Sequence, residues 1–203
     1  LVLGRISHEL VAWQEGACKV VPIKAIIFII AIIIVAYFSR ASLCNPKSHG
    51  FYRLFAWISI VALILLNIDW WFDNPFSIYQ MISWVLLIIS AFLITRGVIL
   101  LQRIGKPDNK RNDASLLGME KTTKLVVEGA YRYIRHPMYS SLLFLGWGAF
   151  FKSISILGMV LAVLATIFLI LTGKMEEKEN IRYFGREYEG YINKTKMFIP
   201  FVL

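Results

Sequence analysis

The sequence predicts an all-α integral membrane protein with five transmembrane helices, a C-terminal helical hairpin and a polar cytoplasmic pocket. Three observations carry that prediction. Hydrophobic residues make up 58% of the 203 and charged residues only 17%, with a mean hydropathy of +0.63, a composition outside the range of soluble domains. The apolar residues are gathered into five runs, and the Lys and Arg residues are distributed unevenly between them.

The first run is Pro22 to Phe38, the second Phe51 to Trp71 and the third Ile78 to Leu101. Each is roughly 17 to 24 residues, enough for a helix to cross a hydrocarbon core. The fourth, Met138 to Phe151, has 14 residues and covers about 21 Å as a helix, short of a core of about 30 Å. Either its helix starts earlier or the residues before it sit below the headgroup level. The fifth run is Ile154 to Thr172, and only Lys152 and Ser153 separate it from the fourth, which predicts a tight antiparallel hairpin. Residues 1 to 21 lack an apolar run of signal-peptide length and read as a surface segment. The chain therefore reads as one membrane domain, with a three-helix scaffold over residues 22–101 and a functional region over residues 102–203.

Five spans place the Ser39 to Gly50 loop, the Gln102 to Arg135 loop and the C-terminal tail on one face. That face collects 17 of the 22 Lys and Arg residues and the opposite face four, so the large loop and the tail are expected in the cytoplasm and the N-terminus on the other side. Asp69 and Asp73 then fall in the outer turn, beside the interfacial anchors Trp70, Trp71 and Tyr79. Arg96, inside the third span, either snorkels to the interface or points at the same pocket as Arg135.

The net charge of +9 follows from this topology, and no basic stripe on a polar domain marks a nucleic-acid partner. Cys18 and Cys44 flank the first span on opposite faces, which argues against a disulfide. Three scattered histidines give no metal-ligand spacing. No phosphate loop occurs, and Gly146-Trp147-Gly148 lacks both the third glycine and the strand of a dinucleotide fingerprint. Those glycines, with Ser140, Ser141 and Ala149, suit close packing of the hairpin or a groove for a slender ligand. Ser140 or Ser141 as a nucleophile would have His136 as its only nearby base and no third orienting group.

Two stretches carry chemistry. In Glu128 to Tyr139, EGAYRYIRHPMY, Pro137 suits the first turn of a helix and biases His136 towards an extended backbone, so a helix is expected to start there with Arg135 and His136 at its lip. In the tail, Ile181, Phe184, Tyr188 and Tyr191 form one helical stripe able to dock on the membrane domain. Glu177 falls at the centre of that stripe and Glu176 about 100° away, while Gly185 and Gly190 can interrupt the helix. The acidic pair also reads simply as charge complementing a helix N-terminus. The hairpin brings both stretches to one face, where a cation, an imidazole, a carboxylate and tyrosines would ring a pocket. Such a pocket suits a zwitterionic cofactor with a polar head and a ribose, meeting an apolar substrate that arrives from the bilayer.

Gly129-x-Tyr131-x-x-x-Arg135-His136-Pro137-x-Tyr139, followed by Glu176-Glu177, Phe184-Gly185-x-x-Tyr188-x-x-Tyr191 and Pro200, resembles the isoprenylcysteine carboxyl methyltransferases and their relatives. The resemblance covers roughly the last 80 residues, and the compact chain suggests a prokaryotic member, bacterial or archaeal. It implies a membrane methyltransferase that uses S-adenosylmethionine and releases S-adenosylhomocysteine, with a lipid-like or prenylated acceptor, a carboxylate in the type family. Gly129, Tyr131, Arg135, His136, Tyr139, Glu176 and Glu177 would line the cofactor pocket. Arg135, on a carboxylate, and Glu177, on the ribose or amino group, would carry catalysis. Three features depart from the family: Ser140 and Ser141 replace smaller residues, Asn180 stands where Leu is common, and Phe168 to Leu171 are apolar where eukaryotic members are charged. The rival readings are a phospholipid N-methyltransferase, an NADPH-dependent sterol-type reductase, which would have more spans ahead of the motif, and a non-catalytic protein with an anionic-lipid-binding face. Membrane lipids are the expected surroundings, without nucleic acid or metal, and nothing in the sequence fixes an oligomeric state.

Overall fold

The computed structural model describes residues 23–37, 39–43, 48–106 and 122–200. Among these residues the regular structure is helical. It comprises α1 (Ile23–Tyr37), the single turn α2 (Arg40–Leu43), α3 (His49–Asn67), α4 (Ile78–Arg103), α5 (Pro137–Phe150), α6 (Ile156–Phe184) and α7 (Arg186–Lys194), with 3-10 turns at Ile68–Trp70 and Gly129–Arg132. The expected surface segment, Cys18 and Cys44 lie outside the described residues.

Among the described residues three helices are long and apolar enough to cross a membrane: His49–Trp70, Ile78–Arg103 and Ile156–Phe184. Their outer faces carry bare hydrocarbon, as at Ile88 and Leu157, which is a stable surface only beside lipid. The other two expected spans are shorter, 15 residues for α1 and 14 for α5. For α5 the reason is visible. None of its residues is exposed, because it is enclosed by α3, α4 and α6, so its apolar length is set by protein neighbours rather than by lipid.

Small residues allow that enclosure, though not where the hairpin expectation put them. A Cβ on Gly148 would lie 3.0 Å from Leu87, and one on Gly146 would face Ile60 at 3.6 Å. These glycines therefore admit α4 and α3, not α6, the next helix in the chain. Serine hydroxyls complete the α4–α5 seam, with Ser83 Oγ donating to Gly148 O and Ser90 Oγ to Ser141 O, both at 2.7 Å. Ser140 and Ser141 spend their hydroxyls on backbone carbonyls, of Phe198 and Met138 respectively. Between α5 and α6, Gly173 lies beside the His136 ring and Gly158 beside Phe150.

At the end of the molecule where α3 closes and α4 begins, Lys24 pairs with Asp69. Ser77 and Ser155 accept from the Gln80 and Gly158 amides and so cap α4 and α6. At the opposite end, α6 continues without a break from its apolar run through Glu176 and Glu177 to Phe184. Gly185, with φ of +59° and ψ of −135°, does interrupt the helix there, and α7 follows it. Gly190 does not interrupt α7.

Candidate functional site

The site is assembled where α5 begins and the extension of α6 passes over it. Pro137 occupies the first helical position of α5 and His136 is its N-cap, as the motif predicts. The backbone before the helix is then fixed by the chain's far end. Arg135 N donates to Lys196 O at 2.8 Å, His136 N to Met197 O at 3.1 Å, and Lys196 N returns to Tyr133 O at 3.0 Å. Phe198, almost fully buried, packs near the His136 ring. The absent side chain of Gly173 makes room for it, since a Cβ there would stand 3.2 Å from Phe198.

Arg135 and Glu177 are joined, with Nε donating to Oε1 at 2.6 Å. The same guanidinium donates through Nη1 to the carbonyls of Ile192, at 3.2 Å, and Thr195. His136 lies between two carboxylates, its Nε2 3.4 Å from Glu177 Oε1 and its Nδ1 3.9 Å from Glu176 Oε2. Its ring stacks on Tyr139 with centroids 5.4 Å apart. The Tyr139 hydroxyl is directed to Glu176. Glu176, placed off the inward stripe by the helical-wheel argument, thus turns inward beside Glu177. Both belong to the straight continuation of α6, whose face is fixed by the packing of its membrane part.

The stripe on the tail docks as expected. Tyr188 and Tyr191 are buried, and the Tyr191 hydroxyl donates to Tyr131 O at 2.6 Å. Burial pushes the Tyr188 hydroxyl well above the ordinary tyrosine range, with the nearby Glu176 charge adding to the effect. Burial does the same for Tyr191, against the opposing pull of Arg135.

These elements border a narrow cleft, open on one side. Of the sequence-predicted residues, Tyr131, Arg135, His136, Tyr139 and Glu176 line it, and Glu177 stands behind His136, paired with Arg135. Gly129 does not line the cleft. It opens the 3-10 turn that carries Tyr131, with φ +59° and a would-be Cβ 2.7 Å from Leu100. Arg96 is also outside, exposed and lying over the Phe92 ring one turn back along α4. Among the described residues no group of His, Cys, Asp or Glu side chains is arranged to hold a metal ion.

Several members of the polar cluster gave no signal in the motifs. His49 and Arg53, at the head of α3, are buried almost completely. His49 Nδ1 donates to Glu179 Oε2 at 2.6 Å and its backbone N–H to Glu179 Oε1 at 3.2 Å. Asn180, a departure from the resembled family, lines the cleft and bonds Tyr188. Helical spacing holds the missed clue: His49 and Arg53 stand at i and i+4, and Glu176, Glu179 and Asn180 at i, i+3 and i+4.

Comparison with known proteins finds bacterial relatives of this chain. Methanethiol S-methyltransferase of Crocosphaera subtropica is 27% identical over 78% of this chain and 63% of its own length. Methanethiol S-methyltransferase 1 of Bradyrhizobium diazoefficiens is 26% identical over 77% of this chain and 55% of its own length, and a third such protein, from Pseudomonas deceptionensis, is 26% identical over 59% and 42%. The chain therefore spans less than two thirds of the length of each of these bacterial relatives. Residues 78–187, more than half of the chain, match the phospholipid methyltransferase profile, and the protein belongs to that family.

Proposed function

We propose that the protein is a multi-pass membrane methyltransferase that passes a methyl group from S-adenosylmethionine to a small apolar acceptor, a thiol in the first instance, reaching the cleft from the bilayer. Methyltransferases of this family use S-adenosylmethionine. The observation that carries the reading is Glu176 beside His136 in the wall of a cleft bordered by Tyr131, Tyr139, Phe184 and Tyr188, with Glu177 behind them on the other side of His136. Such a wall fits the group: carboxylates accept from an amino group or ribose hydroxyls, ring faces take up an adenine, and negative charge favours a sulfonium. In this reading Glu176, His136, Tyr131 and Tyr139 hold the cofactor, Glu177 acts with them, and Gly129 shapes the turn that presents Tyr131.

When bound, the cofactor supplies an electrophilic methyl group on a sulfonium. The chain's own task is positioning and exclusion of water. Arg135 serves that task first, because its Nε and Nη1 are engaged by Glu177 and two carbonyls, which leaves no pair of donors free for bidentate binding of a substrate carboxylate. This argues against the prenylcysteine carboxylate of the resembled family and for an uncharged acceptor, in keeping with the names of the bacterial relatives. A thiol that attacks gives up its proton, and Glu176 and His136 are the cleft residues able to receive it.

The proposed topology has five crossings, with α1 and α5 as the short ones and α5 and α6 as a hairpin. The cleft and C-terminus face the cytoplasm and the N-terminus the opposite side. Residues 22–101 act as scaffold and 102–203 as the catalytic region. Calorimetric titration of the detergent-purified protein tests the cofactor, with S-adenosylhomocysteine binding saturably and NADPH not at all. NADPH binding alone overturns the reading. Methyl transfer assays with methanethiol, a prenylcysteine and phosphatidylethanolamine then decide the acceptor, with dimethyl sulfide as the expected product.

A further inference from the structure

We infer that His49 and Arg53, which precede the region matched to the family, are positioning residues of the transfer site that act through Glu176. The inference rests on the methyltransferase reading above and extends the site to a third helix.

His49 is fully buried, and its contacts with Glu179 have an unusual form. The first amides of a helix lack intrahelical acceptors, and in α3 the N-cap Ser48 makes no side-chain capping bond. Instead Glu179, 130 residues away on α6, accepts from the His49 backbone N–H and from its ring Nδ1. One carboxylate thus caps α3 and orients the imidazole, and the charge suits the positive end of the helix dipole. The arrangement fixes the head of α3 against the part of α6 that lies beyond its apolar run. Glu176 is three residues back along that helix, on the same face, where it lines the cleft. It lies within electrostatic reach of His49 and Arg53 on one side and of His136 on the other. Arg53 is held in place over the Trp57 ring.

Packing alone does not account for the choice of histidine. Its Nε2 is buried with no partner among the described residues, a burden that an apolar side chain would not carry. A histidine is needed only for what Nδ1 does, which is to hold Glu179. The consequence is at Glu176: His49 and Arg53 on α3, with His136 and Tyr139 at the head of α5, fix the direction of its carboxylate, so the cleft is preorganised before a ligand arrives.

Affinity for S-adenosylhomocysteine, measured by calorimetry on the full chain in detergent, provides the test. His49→Leu removes the donor to Glu179 and is expected to weaken binding by about tenfold. His49→Asn keeps an N–H for Glu179 and restores most of the affinity. In a Glu176→Gln background, His49→Leu adds little further loss, because both changes act on the same carboxylate. Asn67→Ala, which deletes a buried hydrogen bond to Ala149 O at the far end of α3, serves as the stability control and lowers Tm without changing affinity. Unchanged affinity in His49→Leu, or losses that multiply with Glu176→Gln, overturns the inference while leaving the methyltransferase reading intact. Should His49→Leu not fold, Glu179→Gln against His49→Asn makes the same comparison. Failure of the unsubstituted protein to bind removes the reading and this inference together.

Discussion

Arg135 Nε donates to Glu177 Oε1 across 2.6 Å while its Nη1 reaches the carbonyls of Ile192 and Thr195, so one guanidinium joins the entry of α5, the extension of α6 and the end of α7. A planar fork can serve three acceptors in fixed directions; a lysine ammonium cannot hold the same geometry. Arg135→Lys keeps the charge and is expected to lower stability by about 2 kcal/mol, with a loss of S-adenosylhomocysteine affinity. Glu177→Gln removes the acceptor charge and weakens binding as well. Thermal unfolding and calorimetry on the same samples check both, and unchanged affinity in Glu177→Gln removes its assigned role.

Two glycines with the same φ of +59° separate conformational strain from crowding. Gly185 has nothing within 4 Å of a would-be Cβ, whereas at Gly129 that atom would meet Leu100 Cδ1 at 2.7 Å. Gly185→Ala should therefore lose only the backbone term, about 1–3 kcal/mol. Gly129→Ala should lose that and more, and Leu100→Ala should recover the excess. No neighbouring substitution should recover Gly185→Ala. Tm measurements on Gly185→Ala, Gly129→Ala, Leu100→Ala and the Gly129→Ala/Leu100→Ala pair decide it, and equal losses at the two glycines would refute the distinction.

Lys152, in the turn between α5 and α6, is buried with its ammonium 3.6 Å from the Trp84 ring centroid. Nζ donates to Gln80 Oε1 at 2.9 Å, and Gln80 Nε2 donates back to Lys152 O and to Trp70 O. Desolvation holds the ammonium below its usual range, yet the ring and the amide keep it supplied with partners. Lys152→Met preserves the volume and should cost about 1–3 kcal/mol by leaving Gln80 under-satisfied. A double-mutant cycle with Trp84→Leu should give a coupling of about 0.5–2 kcal/mol. Additive losses would mean that the cation and the ring do not interact.

The sequence makes legible whatever depends on local pattern. Pro137 marks the start of α5 because a ring without an N–H suits the first turn, and Gly185 marks the end of α6 because a positive φ is needed there. The stripe containing Tyr188 and Tyr191 shows in helical spacing and docks accordingly. Contacts between distant segments leave no such trace. That Glu179 caps α3 from 130 residues away, or that residues 195–198 pair alongside residues 133–136, follows only from tertiary packing. Hydropathy also assigns the shortness of α5 to the bilayer, when the cause is its enclosure by three other helices. For Arg135 the motif identifies a cation at the right place, but its neighbours decide what it holds.

The two buried tyrosines give the fold a limit at alkaline pH. Burial raises the hydroxyl of Tyr188, aided by the Glu176 charge, and that of Tyr191 above the ordinary value near 10. A group with a raised pKa in the folded state binds its proton more tightly there than in the unfolded chain. The associated stability is fully present below about pH 10 and declines as pH rises from there towards the folded-state values. Each tyrosine contributes a slope of up to about 1.4 kcal/mol per pH unit in that window. Tm in detergent should therefore fall steeply between about pH 10 and pH 11, after allowing for solvent-exposed groups that titrate equally in both states. Tyr188→Phe loses the bond to Asn180 and starts from a lower Tm, but its alkaline decline should be shallower by one proton's slope. Identical slopes in the two proteins would mean that Tyr188 is not buried against Glu176 in the folded chain.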